Sequence, residues 1–144
     1  MLMTGLTSMD AERAFTRVAR ARRRAALARR LLRKACEGLA VYDERQLARR
    51  AATPRGRISE IPLCAIRGTV EPSRAHLFDG DFRPAVAARP RWQRVWIAEH
   101  RGTVLPPISV IPVGDGYAVR DGHHRVSVAR ARGALTIDAA VESA

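Results

Sequence analysis

The sequence predicts an α/β fold: a small mixed sheet with packed helices, preceded by a basic helical N-terminal arm. Two patterns predict the domain, and one predicts the arm. Residues 108–113 form a β-branched run, Gly114-Asp115-Gly116 makes a turn, and residues 117–121 read as a second strand, so the pair is a hairpin. A helix then opens at about His124 and stops at Gly133, a natural left-handed C-cap, before a closing strand over Ile137–Val141. Finally, the charge is uneven. Residues 1–57 carry 15 basic and 5 acidic side chains, whereas residues 58–144 carry 11 and 9. The chain therefore divides into an Arg-rich arm with its linker, 1–57, and a domain, 58–144.

The step between hairpin and helix is Asp121-Gly122-His123-His124-Arg125. A strand-to-helix turn directs free backbone N–H groups, the positive end of the helix dipole and a guanidinium at one spot, which suits a phosphate. Gly122, His123, His124 and Arg125 are thus candidate anion ligands. A histidine at a helix N-terminus is disfavoured as a cation, so a neutral imidazole would donate to the phosphate. The alternative is that the histidines only cap the turn. They diverge by roughly 100° on a helix and have no third partner nearby, so no zinc site is expected.

The segment Asp10–Leu39 lacks proline, is rich in Ala, Leu and Arg, and reads as one long helix. Ser8 or Asp10 would cap it and Gly38 would stop it. Phe15, Val18, Ala25, Ala28, Leu32, Cys36 and Leu39 fall on one face, interrupted by Arg22. Arg13, Arg17, Arg20 and Arg24 form a stripe on another face. Tyr42–Arg50 reads as a shorter helix anchored by Leu47, and Thr53–Gly56 as a linker. Three readings fit the arm: an arginine stripe on nucleic-acid phosphates, a solvated face of a packing helix, or an organellar presequence. Asp10, Glu12 and Glu37 count against the last. No helix-turn-helix is evident, and aromatics are too sparse for a base-stacking platform.

Phe78-Asp79-Gly80-Asp81-Phe82 reads as a capped turn with both rings tucked inward, although its two aspartates also suit a cation. Trp92 and Trp96 lie one helical turn apart and read as core. Cys36 and Cys64 have no metal spacing and are expected to be reduced and buried, with a disulfide between them as the less favoured alternative. No apolar run reaches 18 residues and no secretory h-region is present, so the expectation is a cytoplasmic protein without membrane contact. Self-association stays open.

The hairpin, the Gly-x-x-Arg box and the final strand together resemble the ParB/sulfiredoxin superfamily. The resemblance runs from about Ile58 to Val141. Ile61–Ile66 looks like its first strand, and Val70-Glu71-Pro72-Ser73-Arg74 like the loop that brings an arginine to the site. Trp92–His100 looks like the helix before the Pro-Ile strand entry at Leu105–Val110. The resemblance implies a nucleotide- or phosphate-binding domain, with Arg74 as a second phosphate contact. Sulfiredoxins place a catalytic cysteine where this chain has His123, so sulfinate reduction is not expected. ParB proteins use Gly-Glu-Arg-Arg or Gly-Asn-Arg-Arg in CTP binding, and here only Gly122 and Arg125 match. The superfamily's free serine kinases have Asp-Gly-His-Thr-Arg, matched by Asp121, Gly122, His123 and Arg125. The leading expectation is a ParB-like, chromosome-partitioning-like nucleotide binder taking CTP or ATP/ADP with Mg²⁺, associated with nucleic acid through its arm. The alternatives are a small phosphotransferase, with Glu71 as general base and Asp121 as Mg²⁺ or orienting partner, and a non-catalytic interaction module.

Overall fold

The computed structural model describes residues 2–32, 38–43 and 57–142. In chain order the elements are α1 (Leu2–Leu31), β1 (Ala40–Val41), β2 (Arg57–Pro62), β3 (Ile66–Thr69), α2 (Arg89–His100), β4 (Ile108–Val113), β5 (Gly116–Asp121), α3 (His123–Ala131) and β6 (Thr136–Val141). Short 3₁₀ turns occupy Leu63–Ala65, Pro72–Leu77 and Val86–Ala88. Fold class, hairpin, second and third helices and closing strand all follow the sequence pattern. None of the described helices is long and apolar enough to cross a membrane.

The strands form one mixed sheet in the order β1-β3-β5-β4-β6-β2. β4 pairs antiparallel with β5 and parallel with β6, while β3 pairs parallel with β5. The expected single strand Ile61–Ile66 is in fact two strands. β2 ends at Pro62, which has no N–H to donate, and Leu63–Ala65 turns before β3 begins. β2 and β3 lie four places apart in the sheet, about 19 Å if it were flat. The four residue steps from Pro62 to Ile66 reach at most about 14 Å. The sheet is therefore strongly coiled, bringing its two sides together at that turn.

The main core holds Ile61, Leu63, Ile66, Ile108, Val110, Val119, Ala139 and Val141 from the sheet and its connections, with Val126 and Val128 from α3. Trp92, fully buried on α2, ties the three helices. Its ring meets Phe15 of α1 edge-on at 5.6 Å, and its Nε1–H donates to Ser127 Oγ of α3 at 2.8 Å. Ser127 in turn donates to the Phe82 carbonyl. A buried indole needs such a partner, because an unpaired N–H loses its hydration without return. Trp92, Trp96, Phe78 and Phe82 are all core residues, as expected.

The first helix departs from expectation at both ends. It starts at Leu2 rather than Asp10 and ends at Leu31 rather than Leu39. Gly38 is no helix stop: it bridges Asp79, and Leu39 N–H donates to the Ala75 carbonyl at 3.1 Å. Leu39 is buried in the core from extended backbone, so tertiary pairing overrides helix propensity there. The buried face of α1 comprises Ala11, Ala14, Phe15 and Ala19, with Val18 partly covered. Leu32 is exposed. Beyond the part that packs on α2, α1 runs beside the turns of the domain, where Arg22, Ala25, Ala26 and Arg29 line a cavity with Gly38 and Asp79. Cys64 is also exposed, contrary to expectation, because the 3₁₀ turn points Leu63 inward instead. Cys36, Leu47 and the linker Thr53–Gly56 lie outside the described residues, as does most of the expected helix Tyr42–Arg50.

Candidate functional site

β5 runs into α3 through Gly122, which adopts φ 109°. Only glycine adopts that conformation without strain, and a Cβ here would also run into Ile108 Cγ2. The Val126 N–H closes the first helical turn on the Gly122 carbonyl at 3.0 Å. The N–H groups of His123, His124 and Arg125 lie N-terminal to that bond and have no partner within the helix. No side chain caps this end. At the other end the Gly133 and Ala134 N–H groups bond back to the Arg130 and Ala129 carbonyls at 3.0 Å, a Schellman motif with Gly133 at φ 78°.

The open N-terminus faces a cleft of about 360 Å³. Glu71, Ser73 and Arg74 form one wall, Arg91 and Val95 of α2 another, and Leu105 and Pro106 a third. Arg120 and the whole stretch Asp121–Arg125 complete it. All seven residues assigned from sequence to phosphate binding or catalysis in the domain therefore meet in one place: Glu71, Arg74, Asp121, Gly122, His123, His124 and Arg125. Arg91 and Arg120 were missed. The signal for Arg91 was present, since Arg89-Pro90-Arg91 opens a helix and Pro at the second helical position marks that end.

The side chains differ in how far they are committed. Arg125 Nη1 donates to the Pro107 carbonyl at 3.0 Å and to that of Pro106, and Nη2 pairs with Asp121 at 3.2 Å. This guanidinium clamps the Leu105–Pro107 wall to the helix start instead of standing free as a fork. His123 is 4% exposed and its Nε2 lies 2.6 Å from Thr69 Oγ1. Arg120 pairs with Glu142 at 2.7 Å. Among the described residues, the guanidiniums of Arg74 and Arg91 pair with no carboxylate.

Burial, with Arg74 and His124 nearby, pushes His123 down to about 4, against the opposing pull of Asp121. Burial also pushes His124 down to about 4, reinforced by Arg91 and Arg74. Both imidazoles are thus neutral at neutral pH. His124, 8% exposed, packs edge-on against Phe78 with centroids 5.2 Å apart.

The remaining sequence candidates lie elsewhere. Asp79 accepts the backbone N–H groups of Asp81 and Arg83 at 3.0 and 2.8 Å, so its carboxylate organises the Phe78–Phe82 turn. Arg13, Arg17, Arg20 and Arg24 line a separate groove along α1.

Fold and site together define a small mixed α/β domain with an arginine-lined cleft at a helix N-terminus. No protein-family model and no curated protein matches the chain. Among solved structures it is similar to sulfiredoxin from Arabidopsis thaliana, at 24% identity over 61% of this chain and 86% of that one, with a TM-score of 0.45.

Proposed function

We propose that the cleft binds a phosphate-bearing small molecule, with a nucleotide such as CTP or ATP/ADP as the leading candidate. One observation carries this reading: the guanidiniums of Arg74 and Arg91, which pair with no carboxylate among the described residues, share the cleft with the open N-terminus of α3. Charge-assisted bonds from guanidiniums and backbone N–H groups are the stronger class, and a left-handed glycine permits close backbone approach. The two neutral imidazoles add polarity without competing as cations. Arg125 acts by holding the Leu105–Pro107 wall.

A phosphoryl-transfer variant of this reading draws on Glu71, whose carboxylate lines the same cleft. There it would accept the proton of an acceptor hydroxyl as that oxygen attacks the terminal phosphorus and the nucleoside diphosphate (from a triphosphate) or monophosphate (from ADP) leaves. Among the described residues no group of three or more His, Cys, Asp or Glu side chains could hold a metal. Mg²⁺ would come bound to the phosphates, with Asp121 as an oxygen ligand, as Mg²⁺ commonly binds.

Calorimetric titration with CTP, ATP, ADP and inorganic phosphate, with and without Mg²⁺, tests the reading. Arg74→Ala and Arg91→Ala should each weaken binding by about 1.5–3 kcal/mol, the range for hydrogen bonds to charged groups. Equal affinity in parent and both variants would overturn it. Formation of a phosphorylated amino acid from ATP or ADP and serine, lost in Glu71→Gln, would select the transfer variant.

A further inference from the structure

Arg13, Arg17, Arg20 and Arg24 of α1 line a groove of about 510 Å³ whose remaining lining includes Arg89 at the start of α2. The five guanidiniums face a single carboxylate, Glu12. All five arginines are exposed, and among the described residues none forms an ion pair. Arg89 is held in place, its guanidinium standing over the Phe15 ring at 5.4 Å. The α1 helix is itself fixed, since Ala11, Ala14, Phe15 and Ala19 are buried on its opposite side. Packing and arginine display are therefore two faces of one helix, and the packing orients the display.

We propose that this groove binds one strand of a nucleic-acid duplex through its phosphates, without reading sequence. The stripe from Arg13 to Arg24 spans about 16 Å at the helical rise. A duplex strand presents a phosphate about every 3.4 Å of axis and winds as it rises, so a straight stripe of this length meets a short run of successive phosphates on one strand. Five guanidiniums meet them. No aromatic side chain lines the groove, so it offers no platform for stacking bases. Spacing and lining both favour a backbone ligand over an acidic protein surface, whose carboxylates have no such repeat. The inference does not depend on the cleft at α3, because Arg74 and Arg91 are not part of this groove.

Fluorescence anisotropy of the full chain with a labelled 20-base-pair DNA duplex tests it, at 50 and 200 mM salt and with two unrelated sequences. Four to five released counterions predict roughly a 10²–10³-fold loss of affinity over that salt range. The two sequences should bind alike. Replacing Arg13, Arg17, Arg20 and Arg24 together by alanine, a stronger helix former, should abolish binding with the far-ultraviolet circular dichroism unchanged. Arg89→Ala alone should weaken it and lower the salt slope. Arg74→Ala should leave duplex binding unchanged, which separates this result from failure of the cleft reading. The proposal is overturned if the parent chain shows no salt-dependent duplex binding, if a folded quadruple variant binds like the parent, or if only inorganic polyphosphate or single strands bind.

Discussion

Thr69 and His123, 54 positions apart, meet at 2.6 Å between Oγ1 and Nε2 in the buried wall behind the cleft. The same hydroxyl lies 3.1 Å from the Val119 carbonyl and accepts the Glu71 N–H at 2.9 Å. A hydroxyl has one proton to give. If that proton goes to Val119, His123 must donate through Nε2–H, which sets its tautomer. The bond thus fixes the start of the Glu71–Arg74 wall against the start of α3.

Thr69→Val keeps the shape but leaves the His123 ring nitrogen and the Glu71 N–H without their partner. Stability should fall by about 1–3 kcal/mol, the cost of an unsatisfied buried polar group. His123→Ala and the double variant complete a thermodynamic cycle by urea denaturation. A coupling energy of zero between the two sites would show that the contact contributes nothing.

Arg125 is a wall clamp in this structure, with a side chain only 16% exposed. Arg125→Ala should therefore cost stability as well as ligand affinity, by about 1.5–3 kcal/mol for the lost charge-assisted bonds. Arg125→Lys should recover little, because one ammonium cannot span two carbonyls and a carboxylate in the guanidinium geometry. A melting temperature unchanged in Arg125→Ala would contradict the clamp.

The two depressed histidines make stability pH-dependent. Their ordinary value is 6.5, and both lie near 4 when folded. Between these limits the unfolded chain binds protons that the folded chain refuses. Their contribution is therefore fully present above pH 6.5 and is lost as pH falls toward 4, at up to about 1.4 kcal/mol per pH unit for each histidine. Glu99, raised by burial, works in the opposite direction, so the decisive quantity is a difference between chains. Urea midpoints measured from pH 7.5 to 5 should fall less steeply in His124→Gln than in the parent; identical slopes would refute the shift at His124.

Gly122→Ala combines a left-handed φ with a Cβ driven into Ile108. The strain alone is worth about 1–3 kcal/mol. The turn should open and carry the N–H groups of α3 out of the cleft, so phosphate affinity and melting temperature should drop together. A stable variant with full affinity would remove Gly122 from the site.

The sequence by itself determined the hairpin, α3 with its glycine cap, and the closing strand. These are local: turn residues, β-branched runs and a C-cap act within a few positions of one another. It also determined that Gly122, His123, His124 and Arg125 cluster, because they are neighbours in the chain. Tertiary structure decided the rest. Arg91 enters the cleft and Arg89 the groove because α2 packs between α1 and α3 through Trp92. Strand β3 separates from β2 because the sheet coils until a three-residue turn links strands four places apart. The long helix ends at Leu31 while Leu39, equally apolar and eight residues on, is buried from extended backbone. Arg125 was identified from its type and place, yet only the proline carbonyls some 18 residues upstream decide that its guanidinium holds a wall. Local rules fix which groups a segment offers; long-range packing fixes which of them remain free.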